Sequence, residues 1–254
     1  MIMKIRTAII SLVLMALMPT HSKADTRDGE WGLKARVGYQ IGGTAPIGIP
    51  ATIRSIDKYR LTPSLMTGVS ANLPIQSNWG LQIGLLFENK AMDAEATTKS
   101  YYMEVKKGES MLEGVYTGHI RQKVTEWMFT LPVQATYALS KKVTLKAGPY
   151  LSMLVSKDFS GYVYDGYLRQ GNPTGPKVSM GTNEDERATY DFSDDMRNLQ
   201  VGAGVGADWQ VSRRIGLSAD LNWGLNGIFK SDFNTVEQTL YPIYGTIGVF
   251  YRIK

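Results

Sequence analysis

The sequence contains no cysteine in its 254 residues. This absence excludes disulfide scaffolds, cysteine-ligated zinc sites, thiol nucleophiles and a lipid anchor on a cysteine. Apolar runs of helical length are also scarce, since the only one lies at the N-terminus, and this argues against a polytopic helical membrane protein. No GxSxG, HExxH, Walker or strand–GxGxxG–helix motif is present. The net charge of +5 would by itself suit a nucleic-acid or membrane-surface partner.

Residues 1–24 have the features of a cleaved signal peptide. A basic start precedes an apolar stretch over 8–18, which is too short to span a bilayer as an anchor would. Ser22 and Ala24 are small residues at the two positions that signal peptidase inspects. The basic residues of this segment leave with it, so the positive charge of the mature chain is smaller and no nucleic-acid partner is expected.

Residues 25–254 are predicted to form one all-β domain, because apolar and polar side chains alternate along eight segments. A period of two is that of a strand with one apolar face, whereas a helix would repeat at three or four. No odd-numbered position in these segments is charged, although 20% of the chain is, and such exclusion is typical of a face that meets lipid. The segments are 31–41, 65–73, 79–88, 126–139, 143–156, 198–211, 215–225 and 241–253.

The connections between these segments alternate strictly between long and short. Outer-membrane barrels have short periplasmic turns and long extracellular loops, whereas a soluble sandwich or lipocalin-like barrel, the alternative, has no reason to alternate. The sequence therefore predicts an eight-stranded antiparallel up-and-down transmembrane β-barrel. The short turns would be 74–78, 140–142 and 212–214, and the long loops 42–64, 89–125, 157–197 and 226–240.

Aromatic residues of the odd-numbered face cluster near the segment ends. Two such belts match the aromatic girdles that flank the lipid band of transmembrane barrels, whereas core aromatics of a sandwich would scatter along the strands. The predicted periplasmic girdle is Trp31, Trp79, Tyr137, Trp209 and Tyr251, and the predicted extracellular girdle is Tyr39, Phe87, Trp127, Trp223 and Tyr241.

The even-numbered face carries charges of both signs, which we expect to pair inside the barrel. Eight strands enclose only enough room for their own side chains, so a packing network is predicted, with a narrow conduction path or proton relay as alternatives. Leu86, Met128 and Leu154 break the polar-inside rule and indicate an apolar layer or strand extensions above the membrane. The predicted network is Lys34, Arg36, Lys146 and Arg252 with Glu88, Glu126, Asp208 and Asp220.

The predicted loops hold few residues that suggest chemistry. His119, the only histidine outside the signal, is interpreted as a solvated loop residue, with a lipid A-modifying hydrolase as the alternative. The acidic stretch over 183–195 could bind divalent cations but lacks EF-hand spacing. No catalytic residue, metal site or cofactor is predicted. Tyrosines on the loops could contact a partner, since loops carry most recognition: Tyr101, Tyr102, Tyr162, Tyr164 and Tyr167.

Six short stretches carry a resemblance to a known family: 42–44, 46–50, 53–56, 130–137, 147–151 and 248–254. They resemble the PorT-like outer-membrane β-barrel domain family of Bacteroidota, small eight-stranded barrels of the OmpA and OmpX type. The resemblance covers nearly the whole mature chain, implies this fold and offers no catalytic residues. Some relatives are implicated in protein secretion. The expected protein is a non-enzymatic outer-membrane barrel that serves envelope structure, surface interaction or a secretion complex, with outer-membrane lipid, lipopolysaccharide and a protein as its partners.

Overall fold

The computed structural model describes residues 31–60, 62–233, 235–236 and 238–253, so the predicted signal peptide lies outside the described residues. In these ranges no helix is long and apolar enough to cross a membrane. Two 3₁₀ turns, Glu184–Glu186 and Ser193–Asp195, interrupt an otherwise all-β chain. The strands are β1 Gly32–Pro46, β2 Ile53–Arg60, β3 Leu65–Gln76, β4 Trp79–Lys107, β5 Ser110–Ala138, β6 Val143–Gln170, β7 Lys177–Met180, β8 Ala188–Asp191, β9 Leu199–Gln210, β10 Ile215–Gly224 and β11 Leu240–Arg252.

Eight of these strands close into an antiparallel ring, as predicted. In order around the ring they are β1, β3, β4, β5, β6, β9, β10 and β11. The first and last strands close it over a long register, from Lys34 opposite Arg252 to Pro46 opposite Leu240. Each of the eight predicted segments falls on one strand of the ring. The prediction succeeds because a strand of a lipid-embedded barrel needs an uncharged outer face that alternates with a polar inner face.

The long connections contain β structure beyond the predicted strand ends. β4 and β5 continue past the barrel as one hairpin, paired as far as Lys107 opposite Ser110. β6 pairs with β5 as far as Gln170. β2 pairs with the other edge of β4, and β7 and β8 pair with β6. Glu88 and Ser156 were therefore predicted as strand ends too early. We call the part of these strands beyond the ring, together with β2, β7, β8 and the described residues between 226 and 240, the head.

The boundary between barrel and head is visible in β5 as an inversion of its hydrophobic pattern. In the barrel part of β5, from residue 126 to residue 138, the inner face is polar and the outer face is apolar and exposed. Gln134 is an example of the inner face and Phe129 of the outer face. In the head the inner face is apolar, with Ile120 and Val124 buried, and the outer face carries Arg121. The strand thus changes from contact with lipid to contact with water along its length.

The head has a hydrophobic core of its own. Fully buried side chains from β4, β5 and β6 pack against β8 and residues 226–240, and Lys106 at the tip of β4 pairs with Thr189 of β8. Met128 and Leu154, which break the polar-inside rule, are buried directly beneath it. The core comprises Met92, Met103, Val105, Leu112, Tyr116, Ile120, Val124, Phe159, Val163, Leu168, Met180, Ala188, Tyr190, Phe192, Met196, Ile228, Phe229 and Leu240.

Candidate functional site: a filled barrel interior beneath a structured head

Asp208 on β9 is the centre of the lower charge cluster inside the barrel. Its carboxylate lies 2.6 Å from Nη2 of Arg36 and 2.9 Å from Nζ of both Lys34 and Lys146. Lys146 also lies 2.9 Å from Asp220. These charges are almost completely buried, and burial of this kind is tolerable only when each charge is paired and hydrogen-bonded. The cluster ties together β1, β6, β9 and β10.

A second cluster lies higher in the barrel around Glu88. Lys90 Nζ is 3.3 Å from Glu88 Oε1, and the Thr130 hydroxyl donates a hydrogen bond of 2.7 Å to the same oxygen. Lys90 also lies over the rings of Tyr150 and Tyr244, at 5.4 and 5.7 Å from their centroids. Sequence reasoning missed Lys90, because this residue fell in the predicted loop that follows Glu88. Its even number, which continues the inward parity of β4, was the available signal.

The remaining two predicted interior charges lie apart from these clusters. Glu126 is fully buried and accepts a hydrogen bond of 2.6 Å from the amide of Gln200. Arg252 lies at the opposite end of the barrel and donates a hydrogen bond of 3.0 Å to Gln210. The structure therefore brings six of the eight predicted charges into the two clusters, with Lys90 as an additional member.

Glycines on β9 let neighbouring side chains fill the barrel. A Cβ at Gly202 would lie 2.3 Å from the Tyr150 ring, and one at Gly206 would lie 2.1 Å from Asp220 Oδ1. Both distances are far inside van der Waals contact, so Tyr150 and Asp220 occupy the room that the glycines leave. The cavity that remains in this part of the interior measures about 40 Å³, which is space for about one water molecule. The described interior is packed and contains no wide channel.

The ten aromatic residues predicted as girdles all lie on strands of the ring or directly beside them. At the end of the barrel that carries the short turns, Trp79 and Tyr137 form a tilted pair with centroids 4.9 Å apart. At the other end Phe87 and Trp127 stack at 5.4 Å. Trp79, Trp127 and other large apolar side chains of the ring are exposed, which places a broad apolar surface around the barrel. Contact of these two belts with the membrane interfaces stays a prediction.

An ion cluster joins β2 to β4 and β5 on the outer surface of the head. Arg121 Nη2 lies 2.7 Å from Asp93, and Arg60 Nη2 lies 2.7 Å from Glu95. The Arg121 guanidinium holds the pKa of Asp93 below its ordinary value, and hydrogen bonding to Arg60 does the same to the pKa of Glu95. Both carboxylates are therefore ionised at neutral pH and hold β2 against the sheet.

His119 lies on β5 of the head and not on a loop, with 37% of its side chain exposed. Its Nδ1 is 3.1 Å from Thr97 Oγ1 and 3.5 Å from Asp57, and its Nε2 is 3.9 Å from Asp165. A nucleophile relay needs the hydroxyl and the carboxylate on opposite ring nitrogens. Here Thr97 and Asp57 both lie on the Nδ1 side, and Asp165 at 3.9 Å from Nε2 is beyond hydrogen-bond distance, so the arrangement does not form such a relay.

Two of the predicted recognition tyrosines come together beside His119. The Tyr164 ring stacks on His119 at 5.5 Å, and Tyr162 lies 5.5 Å from Tyr164. The guanidinium of Arg187 lies 4.6 Å from the centroid of the Tyr162 ring, and the guanidinium of Arg121 lies 6.0 Å from the same centroid. We call these five residues the tyrosine–arginine patch. Its side chains are partly exposed and held by ring stacking and cation–π contacts.

The other recognition tyrosines are placed elsewhere. Tyr101 packs against the core of the head, and Tyr102 hydrogen-bonds to Glu113. Tyr167 lies under the ammonium of Lys177 at 4.0 Å. In the acidic stretch, the two 3₁₀ turns expose their carboxylates, and the described residues hold no group of three or more metal-ligating side chains.

Residues 22–230 match the family described as outer membrane protein beta-barrel domain. No curated protein is significantly similar in sequence. Among solved structures, the chain is similar to Ail, the attachment invasion locus protein of Yersinia pestis, in complex with the heparin analogue sucrose octasulfate. The identity is 10% and the TM-score 0.39, and the match covers 88% of this chain and 99% of that one. It is also similar to Neisserial surface protein A, at 11% identity and a TM-score of 0.33, over 87% and 96% of the two chains. Both likenesses are too distant to bear on function. The family match covers most of the sequence, and the chain belongs to the outer membrane protein β-barrel domain family.

Proposed function

We propose that this protein is a non-enzymatic outer-membrane barrel that recognises a protein partner at the cell surface through the tyrosine–arginine patch of its head. The head would face outward, since the connections at the opposite end of the barrel are the short ones. Residues 1–24 would direct export as a cleaved signal peptide. Membership of the PorT-like group of Bacteroidota is part of the proposal, supported by the stretches that resemble that group.

The observation that carries this proposal is that the long connections form a packed β structure. Tyr162 and Tyr164 lie on β6, and Arg121 and His119 lie on β5, directly over the buried core of the head. A preorganised surface loses little conformational entropy on binding, and tyrosine and arginine are the residues that most often dominate protein interfaces. Since the patch contains both, it has the composition of a protein-binding surface.

Two other functions are less well supported by the geometry. A channel would need a continuous path, whereas the Asp208 and Glu88 clusters and Tyr150 occupy the described interior. A hydrolase would need His119 to serve a nucleophile, whereas Thr97 and Asp57 share one ring nitrogen of this histidine and Asp165 is 3.9 Å from the other, too far for a hydrogen bond. Surface recognition needs only an ordered surface of suitable composition, which the tyrosine–arginine patch on the packed head provides.

Site-specific photocrosslinking in living cells tests the proposal. A photoreactive phenylalanine analogue in place of Tyr164 should crosslink to one protein partner, and Arg187→Ala in the same chain should reduce the yield. The same analogue in place of Leu139, at a turn on the far side of the barrel, is the matched control. If Tyr164 and Leu139 give the same products, or if Tyr164 gives none, the patch is not a recognition surface.

A further inference from the structure

The head contains an apolar cavity that no part of the proposed function uses. The cavity measures about 380 Å³, within the range of ligand-binding sites. Its walls come mainly from β1, β2 and β4, with further side chains from β5, β6, β8, β11 and the segment before β11. No described residue that lines the cavity is charged. Isoleucine, methionine and phenylalanine side chains dominate the lining, as at Ile53, Ile56, Met92, Met103, Ile120 and Phe159.

The cavity lies behind a lateral seam in the wall of the head. β1 pairs with β3 only as far as Tyr39 opposite Leu65, and the Gln40 N–H donates to the Ser64 carbonyl just above. Beyond that point β3 ends, β2 takes its place beside β4, and no described strand pairs with this edge of β1. The Tyr59 hydroxyl donates a hydrogen bond to the Gly42 carbonyl across the gap. The seam is therefore closed by side chains and not by a ladder of backbone hydrogen bonds.

The seam opens at the height of the predicted extracellular girdle. Ala45 and Ile243 line the cavity, and the register pairs Ala45 with the girdle residue Tyr241 and Ile243 with the girdle residue Trp223. The mouth is thus level with the outer boundary of the lipid band, where acyl chains of the outer leaflet begin.

The surface around the seam has the chemistry of a lipid contact. Ile47, Ile49 and Ile56 are 67%, 66% and 59% exposed, although they lie beyond the girdle. Large apolar side chains exposed together mark a surface that is covered by another apolar phase. Arg54 and Lys58 lie on β2 on either side of Ile56, and both are exposed where they would meet lipid phosphates. Lys58 Nζ is also 3.1 Å from Glu95.

The floor of the cavity leads to no exit. Beneath it lie the buried Lys90–Glu88 pair and the ring of Tyr244, which fill the top of the barrel. An apolar molecule that entered through the seam would have no apolar path onward. A dead end of this kind suits a resident occupant and not a transported one.

From these observations we infer that the cavity holds one acyl chain of an outer-leaflet lipid, which enters through the seam between β1 and β2 while its headgroup stays at the membrane surface. The site is separate from the tyrosine–arginine patch and goes beyond the proposed function. A bound chain would fill the space between β2 and the core of the head and so stabilise the head against the membrane.

The inference is tested with the full-length protein in phosphatidylcholine vesicles that contain a phospholipid with a diazirine on one acyl chain. After irradiation, label is expected on the tryptic peptide 100–106, which carries Met103 deep in the cavity, as well as on the lipid-facing peptide 215–230. Label on 215–230 alone would overturn the inference. Label on 100–106 from a free diazirine fatty acid but not from the phospholipid would also overturn it, because the occupant would then be a free amphiphile.

A space-filling variant separates the cavity from the lipid belt. Ala94 lines the cavity, so Ala94→Phe should abolish label on 100–106 and leave label on 215–230 unchanged. Ala219→Phe, on the lipid face of β10, is the matched control and should leave label on 100–106 intact. Unchanged label on 100–106 in a folded Ala94→Phe protein would contradict the inference, and peptide mapping of the unaltered protein decides it if that variant does not fold. Since Tyr164 crosslinking does not involve the cavity, the two proposals can fail separately.

Discussion

Removing a buried side chain from the head should loosen the head and leave the barrel closed. Leu168 on β6 is fully buried in the core of the head and pairs across the strands with Tyr116 of β5 and Val178 of β7. Replacing a buried leucine by alanine costs about 2–5 kcal/mol, as the sum of lost apolar burial and the cavity left behind. At about 1.4 kcal/mol per tenfold change, the open population of the head rises by roughly 30-fold to several-thousand-fold.

Native-state proteolysis in detergent micelles measures this change, because cleavage of a transiently open segment follows the open population when closing is fast. Trypsin cleavage at Arg169 and Lys177, which follow Leu168 on β6 and β7 of the head, should accelerate by that factor in Leu168→Ala. Heat-dependent gel mobility reports the barrel in the same sample and should not change. Met111→Ala is the control, since Met111 is 59% exposed in the head and its truncation should cost no more than about 0.5 kcal/mol.

Two outcomes would refute the reasoning. Equal cleavage rates in Leu168→Ala and the unaltered protein would show that the buried cluster does not hold the head together. Loss of the heat-dependent mobility shift together with head protection would show that head and barrel unfold as one unit. In that case the inversion of the hydrophobic pattern along β5 would not mark a boundary between two cooperative parts.

Four further predictions concern charged side chains and conduction. Because the pKa values of Asp93 and Glu95 are lowered in the folded head, their contribution to stability is present above their ordinary pKa and disappears as the pH falls. The amide hydrogens of β2 should lose protection from hydrogen exchange below about pH 4, and equal protection factors at pH 6 and at pH 3 would contradict the ion cluster. Asp208→Asn leaves the buried Arg36 and its lysine neighbours without their shared carboxylate, which typically costs about 3–5 kcal/mol; the gel-shift temperature of the barrel should fall, and no shift would show that the cluster is not needed. His119→Ala should leave lipid A unchanged by mass spectrometry, and a changed lipid A would support the hydrolase alternative. The refolded unaltered protein should show no stepwise conductance in a planar bilayer, and resolved steps would support the channel alternative.

The ring of the barrel was predictable because the requirement for an apolar side chain at each outward position depends only on that position and its lipid contact. A side chain at an odd position between Trp31 and Ile41 either suits hydrocarbon or does not, whatever lies elsewhere in the chain. The short turns and the aromatic positions follow the same local rule. The interior pairs were less predictable: parity placed Asp208 and Lys146 inside, but only the closed ring shows that they meet at 2.9 Å.

The head was not predicted, since its strands do not repeat the pattern of the barrel. In β5 the register stays continuous from Glu126 to Ile120, but polar and apolar faces exchange, so a search for one apolar outer face stops at the boundary. β-bulges then shift the parity, as between Thr98 and Tyr101 and between Thr117 and His119. Contacts such as those of His119 with Asp57 and Asp165 join three distant strands, and no spacing in the sequence specifies them.

The exchange of faces along β5 explains why the head forms at the extended end of the barrel. Inside the membrane the outer face gains by being apolar and the inner face fills with paired polar groups, as at Phe129 and Gln134. Above the membrane water covers the outer face, so Arg121 is favourable there, and the inner face of Ile120 must find apolar partners across the mouth of the barrel. The strands meet this requirement by continuing together and curling over a shared core, which closes the mouth. A barrel whose long strands invert their pattern at the membrane boundary is therefore expected to carry a packed head, and one whose strands end at the girdle is expected to carry mobile loops.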